Sequence, residues 1–184
     1  MSGHNKWSQI KLKKGKTDAK KSQVFSKYAK LIVNEARAAR STGSGQVNKD
    51  APMLRAAIER ARKENMPNEN IERAIKKATE GGGAALETIL YEGYGPGGVA
   101  LLIVVLTDSR NRTAGEIKHL LAENGGNLAS PGAAAWAFSK QPSTNNYQPT
   151  TTVQLEDADL EKLERLVEAL EGNEDVQEII TNAE

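Results

Sequence analysis

The chain has 184 residues, enough to bury one substantial core or two small ones, and we expect two small domains. It contains no cysteine and two histidines, which excludes disulfides and thiolate metal sites and leaves a zinc or haem centre few ligands, so we expect no cofactor and no metal. No apolar stretch approaches the ~20 residues that span a bilayer, and no hydrophobic region follows the N-terminal lysines, so we expect a cytoplasmic protein with no membrane contact.

The formal net charge of +1 hides a difference between the two halves of the chain. Residues 1–80 carry 19 Lys and Arg against 8 Asp and Glu, whereas residues 81–184 carry 6 against 16. A strongly basic part joined to an acidic part is typical of a chain that binds a polyanion through one half. The basic half is therefore the first place to look for a binding surface.

The first eighty residues predict a basic arm followed by a bundle of three helices. Residues 1 to about 21 show no apolar period and predict an arm that is partly disordered when free. Apolar residues then recur at helical spacing in three stretches, at 24–40, 52–65 and 67–80. Short turns between amphipathic helices favour a small bundle, and the glycines at 81–85 predict a flexible linker after it.

The second half predicts an α+β domain built from two segments, 86–140 and 150–184, joined by a polar linker at 141–149. The first segment reads as two strands, a helix and a strand, and the second as a strand, a helix and a strand. The stretch 99–106 (VALLIVVL) has no polar face, so it predicts a central strand covered on both sides. The fold class is therefore α+β, with two helices on one sheet.

Three positions inside this domain are predicted from local patterns. The helix of the first segment is expected to begin near Thr113. Trp136 and Phe138 alternate and predict the third strand, and the alternation at 151–155 predicts the fourth.

The N-terminal lysines are the strongest functional signal. Nine of them oppose only Asp18 across the first thirty residues. Lysines neutralise phosphates and release condensed counterions, and an indole offers a stacking surface for an unpaired base. The alternative is a merely solvated basic tail. The candidate nucleic-acid-binding residues of this segment are Lys6, Trp7, Lys11, Lys13, Lys14, Lys16, Lys20, Lys21, Lys27 and Lys30.

A second candidate site lies at residues 108–113 (DSRNRT), between the central strand and the helix that follows. Arg110 and Arg112, placed beside a helix N-terminus, suit a phosphate or a carboxylate. The alternative is a capped turn, in which Asp108, Asn111 or Thr113 satisfies the free amides of the helix. Both interpretations stay open, and they are compatible.

No catalytic centre stands out in the sequence. Residues 93–98 match the G-x-G-x-x-G pattern, but a proline inside the loop and a buried strand after it favour a hairpin turn over a dinucleotide site. His119 is typical of a surface histidine, and the carboxylates around Glu156 suit a helix N-terminus better than a metal ion. We therefore predict no catalytic residues and a protein that is not an enzyme.

Several long blocks of sequence resemble one known family. The blocks are GHNKW at 3–7, LRAAI at 54–58, NMP at 65–67, NIERAI at 70–75, YEGYGPGG at 91–98 and RNRT at 110–113. They resemble the YebC/PmpR family, which includes the mitochondrial translational activator of cytochrome oxidase. The resemblance adds His4 to the contact surface expected around Trp7.

The family's usual architecture implies a helical domain, a sheet domain made of two segments, and a third α+β domain inserted between those segments. After FSK at 138–140, where the family enters the third domain, this chain has only QPSTNNYQP. The resemblance thus implies a short form that lacks the inserted domain, and it leaves open any function that needs all three domains.

The resemblance implies a regulator of gene expression, in two competing versions. In the first, a ribosome-associated factor contacts rRNA or tRNA and helps synthesis through difficult stretches such as consecutive prolines. In the second, a transcriptional regulator binds promoter DNA. We favour the ribosome, because the sequence has no helix-turn-helix signature or dimeric reader but has a basic arm suited to RNA. A third possibility is a protein-interaction module without nucleic-acid contact. We expect a monomer.

Overall fold

The structure is a computed structural model, and it describes residues 18–40, 46–80, 84–140 and 147–184, with side chains from Lys21 onward. The described residues fall into two compact units that divide between Glu87 and Thr88. We call them the helical unit and the sheet unit and describe each by itself.

The helical unit contains three helices: α1 (Asp18–Ala38), α2 (Pro52–Lys63) and α3 (Asn68–Thr79). Each helix turns an apolar stripe inward, and α1 packs against both of the others. Several of the core residues are alanines, which let the helix axes approach closely. The predicted three-helix bundle is confirmed. Its buried core consists of Ile32, Val33, Ala36, Leu54, Ala57, Ala61, Met66, Ile71, Ala74, Ile75 and Ala78.

The turn between α2 and α3 is fixed by backbone geometry. Asn65 has a positive φ of 63°, a conformation that asparagine tolerates better than most residues. The N–H of Met66 then donates to the carbonyl of Ala61 at 3.0 Å, and Pro67 caps the start of α3. The two helices are thereby joined by a short, defined connection.

The predicted end of the basic arm, near Lys21, was placed too late. The helix α1 already begins at Asp18, so Lys20 and Lys21 lie in its first turn. The apolar period that marks the helix in the sequence starts only at Val24, because the first turn of α1 is polar. Residues 1–17, which hold the rest of the predicted arm, lie outside the described residues.

The sheet unit is built on a four-stranded sheet with the spatial order β3-β1-β2-β6 and on a separate pair, β4-β5. The strands are β1 (Glu87–Tyr94), β2 (Ala100–Thr107), β3 (Asn127–Ala129), β4 (Phe138–Lys140), β5 (Tyr147–Pro149) and β6 (Val176–Thr181). The helices are α4 (Arg110–Glu123) and α5 (Asp157–Glu171).

The central strand β2 is covered on both faces, as its unbroken apolar run predicts. Val99, Leu101, Ile103 and Val105 face one way and belong to a core that includes the buried residues of α4 and α5. Ala100 and Leu102 face the other way and pack with residues 134–138. Because successive strand residues point to opposite faces, a strand covered on both sides is apolar along its length, and in β2 only the last residue, Thr107, is polar.

The glycine-rich loop at 93–98 is a hairpin turn and not a dinucleotide loop. A short 3-10 turn at Pro96–Gly98 leads directly into the strand β2, and the N–H of Gly95 donates to the carbonyl of Val99 at 2.8 Å. Gly97 has a φ of 69°, and a Cβ at this position would overlap the side chain of Leu155. The sequence interpretation of a hairpin is confirmed.

The predicted third strand at Trp136 and Phe138 was wrong in two respects. Residues Ala135–Ala137 form a 3-10 turn, and the strand β4 begins only at Phe138. The third strand in chain order is instead β3, which pairs with β1 through Glu92↔Ala129 and Tyr94↔Asn127. With three residues, β3 is too short for alternation to reveal it.

The predicted fourth strand at 151–155 is also displaced. The strand β5 lies at Tyr147–Pro149, inside the stretch that the sequence assigns to the linker. Val153 forms an isolated parallel bridge with Ala183, and Leu155 packs partly buried against the main core. The alternation at 151–155 reflects real burial, but the segment has no ladder partner along its length.

Candidate nucleic-acid interface

The structure describes only part of the predicted lysine segment. His4, Lys6, Trp7, Lys11, Lys13, Lys14 and Lys16 lie outside the described residues, and of Lys20 only the backbone position in α1 is given. Lys21 is exposed, whereas Lys27 and Lys30 are half-buried. The binding role of all these residues therefore stays a prediction.

Helical spacing shows on which side of α1 the lysine positions lie relative to the buried residues. Positions 20, 27 and 30 fall on one stripe, because residues seven and three apart lie close together on a helix surface. Ile32, Val33 and Ala36 occupy the opposite side and are buried in the core of the helical unit. The lysine positions of this stripe thus lie on the side of α1 opposite these buried residues, where Lys27 and Lys30 are half-buried.

The outward side of α2 is a cationic surface that the sequence interpretation missed. Four of its twelve residues are exposed cations, and Glu59 is its one carboxylate. The sequence could have predicted this surface, because helical spacing places these cations on the side of α2 opposite the apolar positions. We call the four cations, Arg55, Arg60, Arg62 and Lys63, the α2 cationic face.

The second predicted site, at Arg110 and Arg112, lies in the first turn of α4. The helix begins at Arg110, three residues before the predicted start at Thr113, with Ser109 in extended conformation as its cap residue. No side chain caps this helix end. The predicted capping by Asp108, Asn111 or Thr113 was therefore wrong. The hydroxyl of Thr113 is instead bonded to Asp175 and Thr107.

The guanidinium of Arg112 is held by carboxylates of its own chain. Its Nη2 lies 2.8 Å from Asp175 and 3.1 Å from Asp108, and its Nε lies 3.7 Å from Glu116. The hydrogen bond and the negative charge of Asp175 raise the pKa of Arg112 above its ordinary value. A phosphate at Arg112 would have to compete with these carboxylates.

Asp175 is the centre of a buried polar network. It is 3% exposed and accepts a hydrogen bond from the hydroxyl of Thr113 at 2.6 Å. Since that hydroxyl has a single proton, it accepts from Thr107, whose oxygen lies 2.8 Å away. The oxygen of Thr107 in turn accepts the N–H of Ser109 at 2.9 Å. The network ties the start of α4 to the chain entering β6.

Arg110 is exposed at the same helix end, and its binding role is untested. Its carbonyl accepts a hydrogen bond from the hydroxyl of Tyr91 at 3.1 Å, which links the helix start to β1. Arg110 and Arg112 thus share one helix end, but Arg112 has a clear structural role there.

A buried carboxylate on β1 organises the loop at 130–135. Glu92 is 7% exposed and accepts the N–H groups of Gly132, Ala134 and Ala135 at 2.6, 2.7 and 2.8 Å. Burial alone raises the pKa of Glu92, but the three backbone hydrogen bonds outweigh it and hold the pKa below its ordinary value. The loop is therefore fixed to the sheet by a charged anchor.

This loop holds Trp136 on the surface. The side chain is 63% exposed, and its indole N–H donates to the hydroxyl of Tyr94 at 3.3 Å. That hydroxyl donates to the carbonyl of Ala133. An ordered, exposed indole was not expected from the sequence, where the alternation with Phe138 suggested a strand.

The described residues contain neither a cluster of metal ligands nor a membrane-spanning helix. In this part of the chain, no three His, Asp or Glu side chains are grouped so that they could hold a metal ion. None of its helices is long and apolar enough to cross a membrane.

Two family models match the chain and together span most of it. Residues 5–81 match the model described as the TACO1/YebC protein N-terminal domain. Residues 86–144 and 140–183 match the model described as the TACO1/YebC second and third domain. The second match breaks into two segments at 140–144, which agrees with an insertion that is missing after 138–140.

Individual relatives give the same result. A protein of Pelotomaculum thermopropionicum is 38% identical over 245 aligned positions that cover 100% of this chain and 99% of the relative. A protein of Syntrophobacter fumaroxidans is 55% identical over 144 positions, which cover 78% of this chain and 56% of the relative. Both are named "Probable transcriptional regulatory protein". The first alignment is longer than this chain, so that relative carries a stretch that the chain lacks.

The fold also matches a solved structure. The crystal structure of a conserved hypothetical protein from Aquifex aeolicus aligns with a TM-score of 0.79 and 32% identity. The alignment covers 97% of this chain and 96% of that one. The α+β fold class predicted from the sequence is confirmed.

Proposed function

Because the chain belongs to the TACO1/YebC family, we propose that it is a non-enzymatic regulator of gene expression that binds RNA on the ribosome through its basic N-terminal half. The observation that carries the proposal is the position of the lysines. Those of the N-terminal segment continue onto the folded helix α1, where the half-buried Lys27 and Lys30 lie on the side opposite the buried Ile32. A nucleic acid bound there would be attached to a stable bundle.

The chemistry of this segment suits RNA. Lysines bind successive phosphates and release condensed counterions, which gives affinity without sequence preference. Trp7 offers a face for an unpaired base, which RNA loops and tRNA ends supply. His4 lies beside it in the sequence and completes the proposed contact. In this proposal the cytoplasmic monomer contacts rRNA or tRNA and assists synthesis through difficult stretches such as consecutive prolines.

Replacing Lys11, Lys13, Lys14 and Lys16 with alanine is expected to weaken ribosome binding and to flatten its salt dependence. Each lost phosphate contact removes about one unit or less of the log–log slope of affinity against salt. Co-sedimentation with ribosomes at several salt concentrations measures both quantities. The control is Lys118→Ala/Lys162→Ala, which removes exposed lysines from the sheet unit. Equal co-sedimentation of the quadruple variant and the wild type would show that the segment is not the anchor.

A second candidate function is transcriptional regulation through promoter DNA. The names of the two relatives favour it, and the same lysines would neutralise DNA phosphates. Ribosome profiling of a deletion strain separates the two functions. Pauses at particular codon runs support translation, whereas changed transcript levels without pauses, or tight binding of one promoter over scrambled DNA, support transcription.

A third candidate is a protein-interaction module in which the acidic half binds a basic partner. The excess of carboxylates in residues 81–184 favours it. This function predicts that neither RNA nor DNA is retained by the purified chain at moderate salt, so the binding experiments above also test it.

A further inference from the structure

The α2 cationic face stands out because four cations share one helix with a single carboxylate, Glu59. Arg55, Arg60, Arg62 and Lys63 are all exposed. Within the described part of the chain, no ion pair or side-chain hydrogen bond involves any of the four. Positive charges that no nearby carboxylate neutralises raise the electrostatic potential above the surface and attract polyanions.

The neighbouring helix α3 carries less net positive charge. Its three exposed cations, Arg73, Lys76 and Lys77, stand against two carboxylates, Glu69 and Glu72. Lys76 pairs with Glu80 at 3.5 Å, and Glu72 pairs with Lys49 at 3.0 Å. The two helices have equal lengths, so α2, with four cations against one carboxylate, is the more strongly cationic of the two.

We propose that the α2 cationic face is a second RNA-binding surface that contacts the sugar–phosphate backbone of structured RNA. The inference rests on the proposed function, since it takes RNA as the target. From Arg55 to Lys63 the face extends about 12 Å along the helix axis, at ~1.5 Å per residue, which is enough for several phosphates. Three of the four cations are arginines, whose planar guanidinium binds phosphate oxygens in pairs.

An exposed methionine extends this face. Met53 is 60% exposed and lies seven residues before Arg60, so both side chains fall on one stripe of α2. A flexible apolar side chain beside cations suits a sugar–phosphate backbone, in which apolar sugar edges alternate with charged phosphates.

The charges of α3 indicate that the contact is with the backbone and not with base edges. In a helix-turn-helix reader the N-terminal residues of the second helix enter the major groove. The second helix here, α3, has Glu69 in its first turn and Glu72 one turn later, and these carboxylates repel phosphates on both sides of a groove. Recognition by backbone and shape is the mode typical of structured RNA.

The test compares three full-length variants with the wild type in binding a fluorescein-labelled hairpin RNA. Arg55→Gln/Arg60→Gln/Arg62→Gln removes the arginines, and glutamine keeps helix propensity. Arg73→Gln/Lys76→Gln/Lys77→Gln removes three charges from α3 as the matched control. Arg55→Lys/Arg60→Lys/Arg62→Lys keeps the charge. Thermal unfolding monitored by circular dichroism is expected to be unchanged in the α2 variants, because the replaced side chains make no ion pair or hydrogen bond among the residues that the structure describes.

The glutamine variant of α2 is expected to lose about two to three units of the log–log salt slope and up to a few hundredfold in affinity near 0.1 M salt, as three lost phosphate contacts require. The α3 control should lose much less, and the lysine variant should recover the slope. Three results would each overturn the proposal. The glutamine variant could keep the wild-type slope and affinity, the α3 control could lose as much as the α2 variant, or the wild type could bind a DNA hairpin of the same sequence equally well. If the glutamine variant of α2 binds like the wild type while alanine at Lys11, Lys13, Lys14 and Lys16 still weakens binding, the α2 proposal fails and the proposed function stands. If the wild type binds no RNA, the proposed function itself fails.

Discussion

Two buried carboxylates of the sheet unit, Glu92 and Asp175, are each satisfied by several donors. Glu92 is bound by three backbone N–H groups, and Asp175 by a guanidinium and a hydroxyl. A buried charge is tolerated only with such pairing, so each carboxylate fixes the groups around it. Both residues connect segments that are distant in the chain, and for that reason the sequence gives no sign of their roles.

Glu92→Gln is expected to destabilise the protein by about 1–3 kcal/mol at neutral pH, because the amide group turns an N–H toward backbone donors and leaves one of them unsatisfied. The pKa of Glu92 is lowered in the folded state, so its stabilising contribution is complete above its ordinary value of 4.5 and is lost as the pH falls below that value. Urea unfolding of both proteins at pH 7 and at acidic pH measures the difference, which should shrink at acidic pH.

The control for this prediction is Glu178→Gln on the exposed side of β6, which should leave the free energy of unfolding unchanged at both pH values. A difference between Glu92→Gln and the wild type that grows on acidification would contradict the assigned sign of the pKa shift.

At the scale of elements, long periodic segments could be predicted from the sequence and short ones could not. The strand β2 could be predicted because its eight residues are covered on both faces, which requires a long apolar run. The three-residue strand β3 and the 3-10 turn that exposes Trp136 depend on tertiary contacts, including the hydrogen bonds of Glu92 to a loop some 40 residues later. Periodicity cannot report contacts at that separation.

The same limit applies to the candidate sites. The lysine stripe of α1 and the α2 cationic face follow from helical spacing alone. The pairing of Arg112 with Asp175 joins residues 63 positions apart, so the sequence could show two arginines beside a helix start but not the carboxylate that holds one of them.

The tie between α4 and β6 gives an element-scale prediction. Asp175→Asn is expected to lower the free energy of unfolding by about 1–3 kcal/mol, because Arg112 and Thr113 lose a charged acceptor in a buried site. Chemical denaturation followed by circular dichroism measures the change. Glu174→Gln, at the exposed neighbouring position, serves as the control. Equal stability of Asp175→Asn and the wild type would show that the network is not stabilising.

At the scale of the molecule, the point where the family match breaks into two segments, at 140–144, lies at a pair of strands. Lys140 and Tyr147 are partners in the antiparallel pair β4-β5, and the Nζ of Lys140 lies 5.9 Å from the centre of the Tyr147 ring. Partner residues of antiparallel strands have Cα atoms about 5 Å apart. Any segment that connects Lys140 to Tyr147 therefore begins and ends at adjacent positions.

Replacing residues 141–146 by a Gly/Ser segment of twice the length is expected to lower the free energy of unfolding by less than about 1 kcal/mol. The β4-β5 pair holds both ends of the segment, and doubling the length of a flexible connection costs roughly 0.6 kcal/mol of closure entropy. Urea denaturation tests this value. The control lengthens the turn at Pro96–Gly98 by the same number of residues and should cost more, since that turn has defined geometry between β1 and β2. A loss of several kcal/mol on replacing 141–146 would contradict the prediction.

The adjacency of Lys140 and Tyr147 also bears on how such a chain arises. A domain whose two ends meet at neighbouring ladder positions can be gained or deleted by a single in-frame genetic event, and the protein on either side of the event still closes the same pair of strands. A change between long and short forms then requires no intermediate in which the pairing of β4 and β5 is disrupted.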